Sequence, residues 1–172
     1  GGVLRIILIT STAFELATFV ALAPYMIITE HGIRESLFLG LFYAISAFNN
    51  AGFVPEAVGT AQYLGDPFFS IPIGLAVLVG SLGFPVILAV VRKLRTPRRW
   101  SLHAKLTLST TALLLGLGFV GYLAMEWSNP ATLGEQGLGT KLLGAGFATV
   151  MPRSGGFATL DVSQMTAESR LL

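Results

Sequence analysis

Apolar residues fall along this chain in runs of two lengths. Three are long: 6–29, 68–91 and 106–125 together carry one charged residue, Glu15. About 20 apolar residues cross a hydrocarbon core of roughly 30 Å, so each of these runs is long enough to span. Two other runs, 37–48 and 141–151, are short and read as helices. About 12 helical residues rise only about 18 Å, too little to cross. Each short run ends in a polar, glycine-containing turn: Asn49, Asn50, Ala51, Gly52 and Phe53 after the first, and Pro152, Arg153, Ser154, Gly155, Gly156 and Phe157 after the second. A segment that enters a membrane without leaving it must turn back. Non-helical backbone at that depth persists only where protein or a water-filled cavity surrounds it. The pattern therefore predicts two re-entrant loops.

The two loops are also related to each other. A shift of 104 positions, without a gap, lays Leu39-Gly40 on Leu143-Gly144, Tyr43 on Phe147, Ala44 on Ala148 and Gly52-Phe53 on Gly156-Phe157. Two apolar runs that both close on Gly-Phe indicate an internal repeat. The predicted organisation is one repeat over 1–91, a basic loop over 92–105 and a truncated repeat over 106–172, whose end is expected to start another helix. The repeat is parallel, with both loops dipping from the same side, which argues against inverted-repeat transporters.

Composition supports a membrane setting. The 172 residues are 53% hydrophobic and 12% charged, with mean hydropathy +0.72, whereas soluble domains carry about 25% charged residues. The absence of cysteine excludes disulfides and thiolate metal sites but fixes no compartment. No secretory signal is visible. The chain starts without Met and stops as an apolar run opens, so it is expected to be a piece of a longer protein. The loop 92–105 holds Arg92, Lys93, Arg95, Arg98, Arg99 and Lys105 with no acid, while Glu30, Glu35, Glu56 and Asp66 outnumber Arg34 around the first turn. Short basic loops stay cytoplasmic, which puts both turns on the outer side. Contact with lipid headgroups accounts for the basic loop, and no fold supports nucleic-acid binding. Trp100 and Glu126-Trp127 mark interfaces.

Within the long runs, Glu15 is an intramembrane carboxylate and a functional candidate by default. It is expected to face the bundle and bond a hydroxyl or backbone group on a neighbouring helix, with Thr10, Ser11, Thr12 and Thr18 as local partners. Gly74, Gly80 and Gly83 are expected to admit close backbone approach, and Pro85 to bend its helix.

The turns offer no catalytic set. His31 and His103 lie on opposite sides, and no nucleophile–base pair, metal-ligand spacing or phosphate-binding glycine loop is visible. What the turns do offer is backbone. Glycine takes positive φ without steric cost, so successive carbonyls can face one axis and replace the hydration shell of a monovalent cation. The preceding helix aims the negative end of its dipole at that axis. Phe53 and Phe157 are expected to pack behind the turns. Arg153 is expected to point behind the second turn toward carbonyls or one of Glu126, Glu135 and Asp161.

The stretches ISAFNNAGF, VGSLGFPV, RRWSLHAKL, AMEWSNPATLG and VMPRSGGF, in this order, resemble the Trk/Ktr/HKT superfamily of potassium transporters, most closely the bacterial Ktr- and Trk-type membrane subunits. The resemblance implies an all-α integral membrane fold of helix–pore loop–helix repeats, four per full subunit. This chain would supply the second repeat and most of the third. It further implies that the carbonyls of Asn50, Ala51, Gly52 and Phe53, and of Ser154, Gly155, Gly156 and Phe157, line the ion path, with Asn49 and Arg153 as support. Potassium, with sodium in some members, would be the transported ion, and no cofactor is covalently bound. The implied setting is the bacterial plasma membrane, as a homodimer with a cytosolic nucleotide-binding regulatory subunit. Relatives often read Arg-Thr-Ala-Gly-Phe where this chain has Arg153-Ser154-Gly155-Gly156-Phe157, and Gly155 loosens that strand. The competing readings are another solute carrier or channel with half-helices, an intramembrane enzyme and a structural subunit.

Overall fold

The computed structural model describes residues 2–29, 32–55, 60–63, 65–93, 96, 100–153, 157, 159 and 162–171. Its α-helices are α1 (Gly2–Thr29), α2 (Ile33–Phe48), α3 (Pro67–Leu82), α4 (Phe84–Arg92), α5 (Leu102–Glu126) and α6 (Leu138–Val150). No strand occurs among the described residues. Among the described residues, two single helices are long and apolar enough to cross a membrane, over Leu4–Thr29 and Leu102–Glu126, and α3 with α4 are so together as a bent pair. The outer faces of the two single helices, including Leu8, Leu16, Val20, Leu113, Leu117 and Val120, are exposed, as lipid-facing positions are in a solvent that is itself apolar.

The path of α2 follows from its contacts with α1. At its start, the Ser36 hydroxyl donates to the Met26 carbonyl, 2.9 Å away. At its end, Phe48 stacks on Phe14 with ring centroids 5.7 Å apart. Helix α2 therefore runs antiparallel to α1 and stops beside residues 14–15. From Thr29 to Glu15 is about 21 Å of helix, well short of both ends of α1. The chain then returns the way it came: the Tyr63 and Phe68 rings lie 6.2 and 6.5 Å from Tyr25. Entrance and exit share one end of α1, so α2 and its turn form a re-entrant loop.

The second half repeats this path. The Lys141 ammonium, at the start of α6, donates to the Trp127 carbonyl at 3.0 Å and sits 4.6 Å from the Trp127 ring centroid. Helix α6 then descends along α5 until Thr149 meets Gly118. Beyond the turn the chain comes back to the end of α5, where Asn129 Nδ2 donates to the Gln164 carbonyl at 3.0 Å. The two mouths adjoin: a Cβ on Gly65 would lie 2.7 Å from Thr140. Both loops therefore open to the same face.

One aromatic core joins the halves. Tyr63 stacks on Phe69 at 4.0 Å, Tyr43 meets Phe69 edge-on at 5.3 Å, and Phe157 lies 6.1 Å from Tyr43. Phe147 and Met151 of the second loop are buried in the same cluster. Aromatic pairs in such geometries add about 0.5–1.5 kcal/mol beyond the area they bury.

Two expectations gain detail in the structure. The run 68–91 is bent, as Pro85 suggests: α3 and α4, which together are long and apolar enough to span, meet at 103°. The break falls at Gly83, with φ 80 and ψ 148, which caps α4 by accepting from the amides of Val86 and Ile87. Pro85 supplies the reason, since it has no N–H for the Ser81 carbonyl and its ring would collide with that group. In addition, no α-helix begins among the described residues of 157–171; short 3-10 turns occupy Val162–Gln164 and Ser169–Leu171.

Of the three glycines singled out on 68–91, Gly80 alone makes a close approach. An added Cβ would lie 1.9 Å from the Phe48 carbonyl oxygen, whereas one on Gly74 meets nothing within 4 Å and one on Gly83 only Pro85 at 3.9 Å. Gly80→Ala is therefore expected to lower stability by at least the ~1–3 kcal/mol typical of overpacking, and Gly74→Ala to be neutral or slightly stabilising. Thermal unfolding of the purified full-length variants in detergent checks both. Equal melting temperatures for the two would contradict the contact.

Candidate functional site

The first turn is built by the way α2 ends. Asn50 has φ 53, in the left-handed region. The Ala51 amide donates to the Ser46 carbonyl at 2.9 Å and the Asn50 amide to the Ala47 carbonyl at 3.1 Å. This pair of bonds is a Schellman motif with asparagine at the left-handed position, where asparagine is the usual substitute for glycine. Gly52 follows with φ 69, again left-handed. Two left-handed residues separated by Ala51 thus reverse the chain at half depth.

Side chains then tie the turn down. The Ser46 hydroxyl donates to the Phe53 carbonyl at 3.1 Å and accepts from the Phe53 amide at 3.0 Å. Asn49 Nδ2 donates both to the Ile45 carbonyl at 2.9 Å and to Glu15 Oε1 at 2.7 Å. Glu15 thus bonds the first turn rather than its neighbouring hydroxyls. Those of Thr10, Ser11 and Thr18 instead donate to carbonyls of their own helix, at 2.8, 2.9 and 2.9 Å. Gly80 of α3 abuts the Phe48 carbonyl and the Asn50 side chain.

The predicted site residues thus divide. Asn49, Asn50, Ala51, Gly52 and Phe53 form one continuous turn at the end of α2. The Phe53 ring does not pack behind it: the residue is 69% exposed, while Phe157 is 2% exposed within the shared core. Ser154, Gly155, Gly156 and the Arg153 side chain lie outside the described residues, as does Asp161. Met151–Arg153 form a 3-10 turn that leads α6 toward them.

Sequence reasoning missed three contributors: Ser46, the Glu15–Asn49 bond and Glu126. Asn-Asn after an apolar helix could have signalled the Schellman end, but nothing local couples Glu15 to a residue 34 positions away. Glu126, considered as a partner of Arg153, is fully buried. Its Oε2 accepts from Asn129 Nδ2 and from the Thr132 hydroxyl, and its Oε1 from the Thr166 amide at 2.9 Å and the Thr166 hydroxyl at 3.0 Å. Those four donors match the roughly four acceptor sites of a carboxylate. Glu126 thereby staples the returning strand of the second loop to the end of α5.

Two short helices, each entering from one face, turning and returning beside a spanning helix, define an all-helical membrane protein with paired re-entrant loops. The chain belongs to the TrkH cation transport protein family, whose model matches residues 2–172. It is 35% identical to the Ktr system potassium uptake protein B of Bacillus subtilis over 164 residues, which cover 95% of this chain and 36% of that protein. It is also 35% identical to the Ktr system potassium uptake protein B of Vibrio alginolyticus, over 86% of this chain and 33% of that protein. The potassium/sodium uptake protein NtpJ of Enterococcus hirae is 30% identical, over 84% and 32%. The chain thus spans about a third of the length of these relatives.

The left-handed conformation at Asn50 makes a direct prediction. Asn50→Gly is expected to leave stability within about 0.5 kcal/mol, since glycine takes φ 53 freely. Asn50→Val, forced into the same region, is expected to cost about 1–2 kcal/mol. Unfolding midpoints of the two variants measure the difference.

Proposed function

We propose that this chain forms part of a potassium uptake pathway, with the carbonyls of Asn50, Ala51, Gly52 and Phe53 as one filter strand and those of Ser154, Gly155, Gly156 and Phe157 as the next. The observation that carries this reading is the pair of re-entrant bends opening to one face, with the first bend set at half depth by left-handed Asn50 and Gly52. Membership in a cation transport family and the potassium uptake of the named relatives support it. In this reading 1–91 and 106–172 are the second and third of four repeats, and the remaining strands come from the rest of a longer subunit. A carbonyl ring replaces the ion's water, and α2 and α6 aim the negative ends of their dipoles toward it. Asn49 and Arg153 support the two turns from behind. Potassium is the main cargo, and the name of the NtpJ relative leaves room for sodium.

The turns face the outside of a bacterial plasma membrane and the loop 92–105 the cytosol, because Lys and Arg concentrate in that loop. A homodimer of full-length subunits with a cytosolic nucleotide-binding regulatory subunit completes the assembly. The basic loop and the Trp100 indole, whose Nε1 donates to the Lys93 carbonyl at 3.0 Å, lie on the side where that partner docks.

The test uses the full-length gene in a potassium-uptake-deficient bacterial strain. Wild type is expected to restore growth at low potassium. Gly52→Ser places a side chain at φ 69, a strain of about 1–2 kcal/mol, and is expected to abolish rescue or admit sodium. Equal rescue by both, at equal membrane abundance, would remove the filter assignment.

A further inference from the structure

We propose that Glu15 is a positioning residue for ion selectivity: through Asn49 it fixes where the first filter strand sits relative to α1. This rests on the filter reading above and names a group which that reading does not require. Glu15 is the one charged residue in the run 6–29, and a carboxylate at such depth is costly unless it has a task. Its hydrogen-bond partner is not a neighbour on its own helix but the residue that caps α2, with Asn49 Nδ2 donating to Oε1 at 2.7 Å.

The geometry makes this bond more than a local tie. An asparagine amide has two N–H donors. Here one goes to the Ile45 carbonyl at 2.9 Å and the other to Glu15. The Asn49 side chain therefore bridges the last turn of α2 to the middle of α1, with both donors used. The next residue is left-handed Asn50, the first of the proposed ion-facing carbonyls. Gly80 of α3 also brings its backbone against the Phe48 carbonyl. The base of the strand is thus held by a hydrogen bond from α1 and by close contact with α3. Loss of Glu15 removes the tether to α1 and leaves the turn free to shift relative to that helix. Selectivity depends on the position and number of the carbonyls that replace the ion's hydration shell, so a strand that shifts is expected to discriminate less.

The sequence does not repeat this pair. At the matched positions of the second repeat, 104 residues on, Phe119 stands for Glu15 and Arg153 for Asn49. The effect of Glu15 is therefore expected through the first strand.

The experiment reconstitutes the full-length protein, with equal protein per vesicle, and measures the potassium-to-sodium flux ratio for wild type, Glu15→Ala, Glu15→Gln, Asn49→Ala, the double alanine variant and Gly52→Ser. Glu15→Ala and Asn49→Ala are each expected to lower the ratio about tenfold, the scale of one lost hydrogen bond of this kind. The double variant should fall no further than the worse single one, because both remove the same bond. Glu15→Gln, whose amide oxygen still accepts, should recover most of the ratio. An unchanged ratio in Glu15→Ala, multiplicative loss in the double variant, or a Glu15→Gln as impaired as alanine would each overturn the proposal. A changed ratio in Gly52→Ser with an unchanged one in the Glu15 and Asn49 variants refutes the positioning role and keeps the filter. An unchanged ratio in Gly52→Ser refutes the filter itself. Monodispersity of each variant on size exclusion before reconstitution separates misfolding from loss of selectivity.

Discussion

A helix that stops inside a membrane leaves its last carbonyls where water is scarce, and this constraint governs the molecule. In bulk solvent the final turn of α2 would be hydrated. At half depth each polar group needs a protein partner or a reason to stay open. The structure answers group by group. The carbonyls of Ser46 and Ala47 accept from the amides of Ala51 and Asn50. The Ile45 carbonyl accepts from the Asn49 amide and side chain, and Ser46 bonds both the amide and the carbonyl of Phe53. The turn is rigid because its surroundings leave it few alternatives.

The same logic recurs at the rim, with other chemistry. Where the second loop comes back to the end of α5, a buried carboxylate gathers the loose ends. Glu126 binds Asn129 and Thr132, close to it in the sequence, and Thr166, 40 positions on, which must reach it for the loop to close. On the other flank Lys141 tethers the start of α6 to Trp127 by a carbonyl bond and a cation–π contact, the latter worth about 0.5–2 kcal/mol. Between these rims the aromatic core of Tyr43, Tyr63, Phe69 and Phe157 makes the two halves one body.

Much of this was legible in the residues. The contrast of long and short apolar runs marks which helices cross and which turn back, since length against bilayer thickness is a one-dimensional property. The Asn-Asn-Ala-Gly sequence carries the backbone reversal because it supplies left-handed conformers where they are needed. Other features depend on which helix lies beside which. Glu15 reaches Asn49 only because α2 folds back along α1 to that depth, and the hydroxyls of Thr10, Ser11 and Thr18 are diverted to their own backbone. Pro85 announces the bend at Gly83, but not its size of 103°, which depends on how α3 and α4 pack. Phe53 and Phe157 match in the repeat yet differ in burial, because only Phe157 has the other half of the molecule to pack against.

Gly80 has one more implication. Helix α3 meets the base of the first turn through a single bare position, with Val79 and Ser81 on either side of it in the chain. Rotating α3 by one residue, about 100°, or sliding it by one turn of roughly 5.4 Å, would bring a side chain against the Phe48 oxygen. The notch therefore fixes both the azimuth and the height of α3. That helix works as a gauge: the level at which the chain reverses is set by where, along a neighbouring rod, a side chain is missing.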